Sequence, residues 1–276
     1  MKKSFVISLL ILAGCTSQTY VPDQKLVVEG WIEAGEAPVV YVTTTMSPMN
    51  EELSVAALSE HIVKWAKVTV SDGENEVVLT GTASKRFFPP FAFTTGRMTG
   101  EVGKTYTLKV EYSGEVATAQ AMVPAPKTLD SIEAVPYPGR DGESLIRVRF
   151  TDNPSTEDYY RFFTRIQGVD SVFVASPLAL VSDSMMEGTV AEMEITPGGT
   201  ILKSSWKGGF LPGQSVKLKF STMDRSMYLF WKAFDEQYAF TNVPLFSLDD
   251  NIPGNVSGGI GYFAGYGSTV YNVVIP

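Results

Sequence analysis

The sequence predicts an all-β protein with one or two helices, and three observations support this fold class. Short runs in which apolar and polar residues alternate recur from Lys25 onward, and β-branched residues are frequent in them. Turn-forming sequences such as Asp72-Gly73-Glu74-Asn75 separate these runs. The chain also contains 24 Gly, 16 Pro and 12% aromatic residues, a mixture typical of many short strands joined by tight turns.

Residues 1–14 are predicted to be an export signal. Lys2 and Lys3 give it a positive start, and residues 5–12 form an apolar core. This core is much shorter than the roughly twenty residues of a membrane-spanning helix. It ends in Leu12-Ala13-Gly14-Cys15, where small residues precede a cysteine as a lipoprotein-processing peptidase requires. We therefore predict lipidation of Cys15, with acyl chains such as palmitate. The alternative is an ordinary secretory signal with an incidental cysteine.

Residues 15–24 are predicted to be a lipidated tether, because they are polar and lack periodicity. At about 3.3 Å per residue, such a tether reaches at most about 30 Å and keeps the body close to its membrane. Loss of Lys2 and Lys3 with the signal leaves 20 basic and 30 acidic side chains. This acidic balance argues against nucleic-acid binding, which needs clustered Lys and Arg.

Residues 25–124 are predicted to form an immunoglobulin-like or fibronectin-like β-sandwich of about seven strands. In the first strand, Leu26, Val28 and Ile32 share one face. Two further hairpins are indicated, one around the turn at 72–75 and one between 105 and 122.

Two interruptions are predicted within this lobe. Residues 48–60 have acids in a first turn and helical spacing, which indicates a short helical insertion in a loop. Residues 87–94 indicate a strand, and Pro89 and Pro90 place that strand at a sheet edge because proline lacks the N–H that a ladder needs.

Residues 127–276 are predicted to form a second β-rich lobe, and Pro124-Ala125-Pro126 marks the boundary. A helix is predicted at 224–239, capped by Asp224. Its apolar stripe comprises Met227, Phe230, Trp231, Phe234 and Tyr238. The predicted strands span 131–135, 145–151, 159–167, 172–175, 200–206, 215–221, 258–263 and 269–274. The turn Gly265-Tyr266-Gly267 is expected to split the last two.

Side chains suited to catalysis are scarce in this sequence, which favours a non-catalytic protein. His61 is the only histidine, and no nucleophile elbow, zinc-protease helix or phosphate loop occurs. With Cys15 acylated, no thiol remains. We predict no catalytic residue, metal site or cofactor. No pair among the 30 acids stands out, so a glycosidase stays open. The glycines at 258–261 are interpreted as allowing close backbone approach under the helix.

Five local patterns in fixed order resemble one protein family. They are Leu26-Val27-Val28-Glu29-Gly30-Trp31-Ile32, Ala66-Lys67-Val68-Thr69-Val70-Ser71-Asp72-Gly73, Gly103-Lys104-Thr105-Tyr106-Thr107-Leu108-Lys109-Val110 followed by Val123-Pro124 and Leu129-Asp130-Ser131-Ile132, Phe150-Thr151-Asp152 with Tyr159-Tyr160-Arg161-Phe162, and Pro253-Gly254-Asn255-Val256 with Gly258-Gly259-Ile260-Gly261-Tyr262-Phe263. The set resembles a family of Bacteroidetes lipoproteins known as domain-of-unknown-function family 4249. The resemblance implies an outer-membrane lipoprotein, often encoded beside a TonB-dependent transporter, and it implies no catalytic residue.

Three functions therefore stay open. The first is a non-catalytic, lipid-anchored accessory protein that binds or assembles with a TonB-dependent nutrient transporter at the outer membrane, on either face of it. The second is a surface glycan-binding or carbohydrate-active lipoprotein, for which exposed rings would form a platform. Trp65, Trp206 and Tyr266 are the candidate ligand-binding residues. The third is a purely structural envelope protein.

Overall fold

Strands make up most of the described chain, and a 17-residue helix packs on the largest sheet. The computed structural model describes residues 24–45, 59–151, 155–182, 190–199, 208–241 and 252–276. The all-β fold with a packed helix is thereby confirmed. Within the described ranges, no helix is long and apolar enough to cross a membrane.

The described strands are numbered along the chain. They are β1 (Leu26–Glu33), β2 (Val39–Thr44), β3 (Lys67–Ser71), β4 (Glu76–Val78), β5 (Thr80–Ala83), β6 (Phe91–Thr94), β7 (Thr105–Tyr112), β8 (Glu115–Met122), β9 (Ser131–Pro136), β10 (Ser144–Thr151), β11 (Tyr159–Ile166), β12 (Val174–Ser182), β13 (Val190–Ile195), β14 (Ser215–Met223) and β15 (Ile260–Val274). The helix is α1 (Arg225–Thr241).

These strands form three sheets. The largest has eight strands in the order β12-β11-β14-β15-β1-β2-β6-β5. A four-stranded sheet has the order β4-β3-β7-β8, and a three-stranded sheet has the order β13-β10-β9. Each small sheet packs on a different part of the large one. The protein therefore contains two β-sandwiches that share the large sheet.

The first hydrophobic core lies between the four-stranded sheet and the β1-β2-β6-β5 part of the large sheet. Alternate residues of each strand point into it, because successive side chains of a strand face opposite sides. Its fully buried members include Val28, Ile32, Val40, Val68, Val70, Tyr106, Leu108 and Phe263. Seven strands were expected in this region, and eight are observed.

The second hydrophobic core lies between the three-stranded sheet and β11, β12 and β14. Aromatic rings fill it, and Phe162 stacks on Phe220 with ring centroids 4.6 Å apart. Its other buried members include Ile146, Val148, Phe150, Tyr160, Val216 and Leu218. β11 presents aromatic rings on both faces, because Tyr160 and Phe162 enter this core while Tyr159 and Phe163 lie on the opposite side.

The long strand β15 joins the two cores. Its first half pairs in parallel with β1, from Val27 opposite Ile260 onward. Its second half pairs antiparallel with β14, ending with Ser215 opposite Val274. Phe263 belongs to the first core, while Tyr271 packs on the second. The division into lobes at 25–124 and 127–276 stays a prediction, and the structure adds that one strand serves both ranges.

The predicted turn within the last strand is wrong. Gly265, Tyr266 and Gly267 lie inside β15, which runs unbroken through them. The two glycines are needed for close packing, since a Cβ on Gly265 would lie 1.9 Å from the carbonyl oxygen of Met122. A Cβ on Gly267 would lie 2.4 Å from that of Pro124. Glycine here admits a crossing backbone and does not mark a turn.

The glycines at 258–261 also permit close approach, though to different elements than predicted. A Cβ on Gly258 would lie 2.2 Å from the oxygen of Val116 in β8, and one on Gly261 would lie 2.0 Å from that of Val28 in β1. The neighbours are therefore strands, whereas the sequence analysis placed the helix there.

The predicted edge position of the strand at 87–94 is wrong. Both prolines precede β6, which begins at Phe91, so its N–H groups are free to pair. β6 lies between β2 and β5, and β5 forms the edge of the large sheet. The predicted hairpins are confirmed, with β3 pairing to β4 and β7 pairing to β8.

The predicted helix is confirmed. α1 begins after Asp224, whose Oδ1 accepts the N–H of Met227 at 2.8 Å, the geometry of an N-cap. Met227, Phe230 and Trp231 are buried, as their spacing predicted. The strand at 200–206 and most of the insertion at 48–60 lie outside the described residues.

We predict that Gly265→Ala destabilises the protein by about 3 kcal/mol, because the new methyl group would overlap the backbone of Met122. Gly96 is the matched control, since a Cβ there meets no atom within 4 Å. Denaturant unfolding of the full chain measures both changes. If Gly265→Ala lowers the unfolding free energy no more than Gly96→Ala does, β15 and β8 do not approach one another this closely.

Candidate functional site

The candidate site lies on the face of the large sheet that points away from both cores. We call it the aromatic face and define it by its residues on β1, β2, β11, β14 and β15. They are Glu29, Trp31, Glu33, Tyr41, Tyr159, Arg161, Phe163, Lys219, Tyr262 and Tyr266. Strand alternation places them together, because their chain neighbours, such as Val28, Tyr160 and Phe263, enter the cores.

The helix α1 covers one half of the aromatic face. Phe230 packs on Tyr262 with ring centroids 4.5 Å apart, and Trp231 packs edge-on against Phe163 at 6.1 Å. The indole Nε1 of Trp231 donates a hydrogen bond of 2.9 Å to the hydroxyl of Tyr266. This buried bond fixes the helix against the sheet and satisfies the one polar atom of the indole.

An ion pair between a buried arginine and a partly exposed aspartate ties the same helix to β11. Arg161 is only 1% exposed, and its two terminal nitrogens donate to the two carboxylate oxygens of Asp235, each at 2.8 Å. The guanidinium also lies 4.2 Å from the ring centre of Trp231. A two-point pair of this kind holds a defined geometry, and removal of either partner would leave a charge without compensation.

A second ion pair lies deeper on the aromatic face. Lys219 on β14 donates to Glu33 on β1 at 2.6 Å, and both side chains are 11% exposed. The ammonium group of Lys219 also lies 5.1 Å from the ring of Phe163 and 4.7 Å from that of Phe173. The pair therefore links strands on either side of β15 across the aromatic face.

Glu29 is the third carboxylate of the aromatic face, and its surroundings differ from those of Glu33 and Asp235. Sheet register places it directly between Tyr41 on β2 and Tyr262 on β15. Its Oε1 is shielded from solvent and has no hydrogen-bond partner among the described residues. Burial raises the pKa of Glu29 from 4.5 to about 7, because the ionised form loses its hydration.

The tyrosines around Glu29 stay neutral. Burial raises the pKa of Tyr41, Tyr262 and Tyr266 above the ordinary value, and the nearby charge of Glu29 raises those of Tyr41 and Tyr262 further. The Tyr41 hydroxyl accepts the backbone N–H of Phe88 at 3.3 Å. These phenols therefore offer rings and neutral hydroxyls, and they do not act as bases near neutral pH.

Taken together, the aromatic face offers apolar rings and one carboxylate that the described cations do not neutralise. Arg161 and Lys219 are each engaged by another acid. Such a set is suited to recognising a small polar or cationic group. Within the described ranges, no three His, Cys, Asp or Glu side chains group closely enough to hold a metal ion.

Two cavities open near the aromatic face and the start of β1. One of about 100 Å³ lies between α1 and residues 253–255, and Tyr262, Phe230 and Met227 line it. The other, of about 360 Å³, is lined by Lys25, Leu26, Glu115 and residues 258–260. Tyr262 thus borders both Glu29 and a cavity.

Two of the predicted ligand-binding residues, Trp65 and Tyr266, lie within the described part of the chain, and they differ in exposure. Trp65 is 89% exposed, on the segment that leads into β3. Tyr266 is only 5% exposed, so its ring has no free face for a ligand, contrary to its predicted place in an exposed turn. Trp206 and Cys15 lie outside the described residues.

Sequence reasoning missed Glu29, Tyr41 and Tyr262. The one available signal was an acid within the otherwise apolar run Leu26-Val27-Val28-Glu29. Simple alternation assigned that position to the solvent side of β1. A sheet buried on both faces breaks the rule, because α1 and its neighbours cover the side that would otherwise meet water.

We predict that Glu29→Gln changes how stability depends on pH. When the pKa of a carboxyl group is higher in the folded state than in the unfolded state, the protein becomes less stable as pH rises between those two values. For Glu29 this window runs from 4.5 to about 7 and corresponds to about 3 kcal/mol. Glutamine does not titrate. The unfolding free energy of the variant, relative to that of the wild type, should therefore increase by that amount between pH 4.5 and pH 8.

Urea unfolding of the full chain at several pH values measures this gain. Glu36→Gln is the matched control, because Glu36 is exposed near the end of the same strand. Stability curves of the wild type and Glu29→Gln that run parallel across the window would contradict the assigned burial of the carboxyl group.

A sequence model of the family described as "Domain of unknown function (DUF4249)" matches residues 16–272, which is nearly the whole chain beyond the predicted signal. The curated proteins contain no match to this chain. The match covers every strand of the aromatic face, from β1 to the greater part of β15. The chain belongs to the DUF4249 family, as its five local patterns predicted.

Proposed function

We propose that this protein is a lipid-anchored, non-catalytic accessory protein of the outer membrane that binds a TonB-dependent nutrient transporter. The observation that carries the proposal is the exposure of Trp65. This large indole ring is 89% exposed on an otherwise well-packed N-terminal sandwich. Tryptophan is enriched among the residues that contribute most to protein–protein binding, because it buries a large rigid surface.

Hydrogen bonds to β2 fix the backbone just before Trp65. The N–H of Val63 donates to the oxygen of Val42 at 2.9 Å, and that of Thr44 donates to His61 at 3.0 Å. The segment before Trp65 thus pairs with the end of β2, beyond the two residues of β2 that pair with β6. A ring presented from a fixed backbone loses little conformational entropy when a partner binds.

The anchor is supported by the sequence around Cys15. A positive start, a short apolar core and small residues before the cysteine occur in the order that lipid attachment requires. Two or more acyl chains hold a protein stably at a membrane. The nine residues at 16–24 would then keep the start of β1 within about 30 Å of the lipid surface.

Glycan binding by a surface lipoprotein is the second candidate function, and Trp65 is again the observation that favours it. An exposed indole face can stack on a sugar ring. The predicted platform of three rings is weakened, however, because the ring of Tyr266 is buried. Of the predicted platform residues that the structure describes, Trp65 has an exposed ring.

We predict that Cys15→Ser abolishes lipid attachment, because serine lacks the thiol that receives the diacylglycerol. Metabolic labelling of cells with a palmitate analogue, followed by membrane fractionation, measures the effect. The wild type should be labelled and should sediment with outer membranes. Labelling of Cys15→Ser at the wild-type level would contradict the anchor.

We predict that Trp65→Ala reduces co-purification of a TonB-dependent transporter by more than about tenfold, since a central tryptophan commonly contributes 2 kcal/mol or more to binding. The measurement is an affinity pull-down of the tagged full chain from its native membranes, with quantitative mass spectrometry. Leu178→Ala is the matched control, because Leu178 is 86% exposed on β12, in a different part of the chain.

Each outcome of the pull-down points to one function. A transporter recovered in near-equal amount with the wild type and Leu178→Ala, but not with Trp65→Ala, supports the accessory function. Recovery of no partner by the wild type contradicts it. A glycan-array screen then decides between carbohydrate binding that depends on Trp65 and a purely structural envelope protein.

A further inference from the structure

We propose that Glu29 and the rings of Trp31, Tyr41 and Tyr262 form a binding site for a small protonated primary amine. In this site the carboxylate accepts an N–H of the ammonium group, and the rings face its positive charge. The site does not depend on the partner proposed for Trp65.

Sheet register assembles this site. Glu29 has Tyr41 opposite it on one side and Tyr262 opposite it on the other. Residues opposite one another on neighbouring strands have their Cβ atoms about 5 Å apart, so the carboxylate lies between two rings. Trp31 follows on the same face of β1, and its ring centre lies 5.6 Å from that of Tyr41.

When ionised, Glu29 gives the aromatic face a negative charge that a bound cation would neutralise. Its two buried basic groups are already paired, Arg161 with Asp235 and Lys219 with Glu33. Glu29 is left with no basic partner among the described side chains, and its Oε1 accepts no hydrogen bond from them. A shielded carboxylate without a donor is costly, so its presence in an apolar strand needs an explanation.

The rings and the unpaired carboxylate oxygen determine which chemical class of ligand fits this site. A cation near aromatic rings is attracted by the negative charge on their faces. An unused carboxylate oxygen additionally requires a donor, which a primary ammonium group has and a quaternary ammonium group lacks. The residues Glu29 and Trp31 are partly exposed while Oε1 itself is shielded, so the ammonium group would have to enter between the side chains to reach that oxygen.

The ionisation of Glu29 provides a test that needs no variant. Tyr41 on β2 and Tyr262 on β15 face it and stay neutral below pH 9, because burial raises the pKa of each. Tyr266 on β15 is neutral for the same reason. With a pKa of about 7, Glu29 is mostly ionised at pH 8 and mostly protonated at pH 5.5. Amine affinity should therefore be on the order of 30-fold tighter at pH 8.

The experiment is a thermal-shift and calorimetric titration of the full chain with ethylammonium chloride, over about 0.1–100 mM. Sodium chloride at equal concentration controls for ionic strength, and tetramethylammonium chloride tests the need for an N–H donor. We expect stabilisation by ethylammonium at pH 8, more than about tenfold weaker binding of tetramethylammonium, and little effect of either salt at pH 5.5.

Variants locate the binding. Glu29→Gln keeps the shape of the side chain and relieves the burial of a charge, so it should fold and should lose the ethylammonium effect. Glu36→Gln should keep it, because Glu36 is exposed and lies off the aromatic face. Trp31→Leu should weaken binding by removing one ring while leaving the carboxylate in place.

Three results would overturn the proposal. They are an ethylammonium effect no larger than that of sodium chloride at pH 8, an effect of equal size in Glu29→Gln, and an affinity that does not change between pH 5.5 and pH 8. Equal binding of tetramethylammonium would also overturn it, because the hydrogen bond to Oε1 would then play no part.

Discussion

The pairing of β15 with both β1 and β14 is the constraint on which the rest of the structure depends. Without it, the eight-stranded sheet would separate into two pieces, each with an open edge. The strand can serve both pieces because glycines in its middle admit the crossing backbone after β8. The same strand also supplies Tyr262 and Tyr266 to one face and Phe263 to the other.

Burial of the large sheet on both faces follows from this arrangement and creates the unusual chemistry of the aromatic face. One face is filled by two ordinary apolar cores. The other carries charged groups beneath a helix, where each acid must find a partner or a proton. Glu33 and Asp235 have basic partners, whereas Glu29 has raised affinity for a proton. A single sheet thereby separates packing on one side from polar recognition on the other.

Local patterns in the sequence predicted most of the fold but little of the site. The hairpins around residues 72–75 and 113–114 and the helix after Asp224 were predictable, because their signals lie within a few neighbouring residues. β13 and the unbroken β15 were not, since their pairing is decided by distant strands. The sequence did not predict Glu29 as a site residue for the same reason, because only the register with β2 and β15 shows which rings surround it.

The parallel pairing of Val27 with Ile260 also sets an order of events for a newly made chain. β1 leaves the ribosome well before β15, so one of its sides stays without its partner until β15 has been made. Contacts this distant in sequence form slowly, because a long loop must close before they contribute. The central sheet is therefore completed only after β15 has been made, however early the hairpins of the first core have formed.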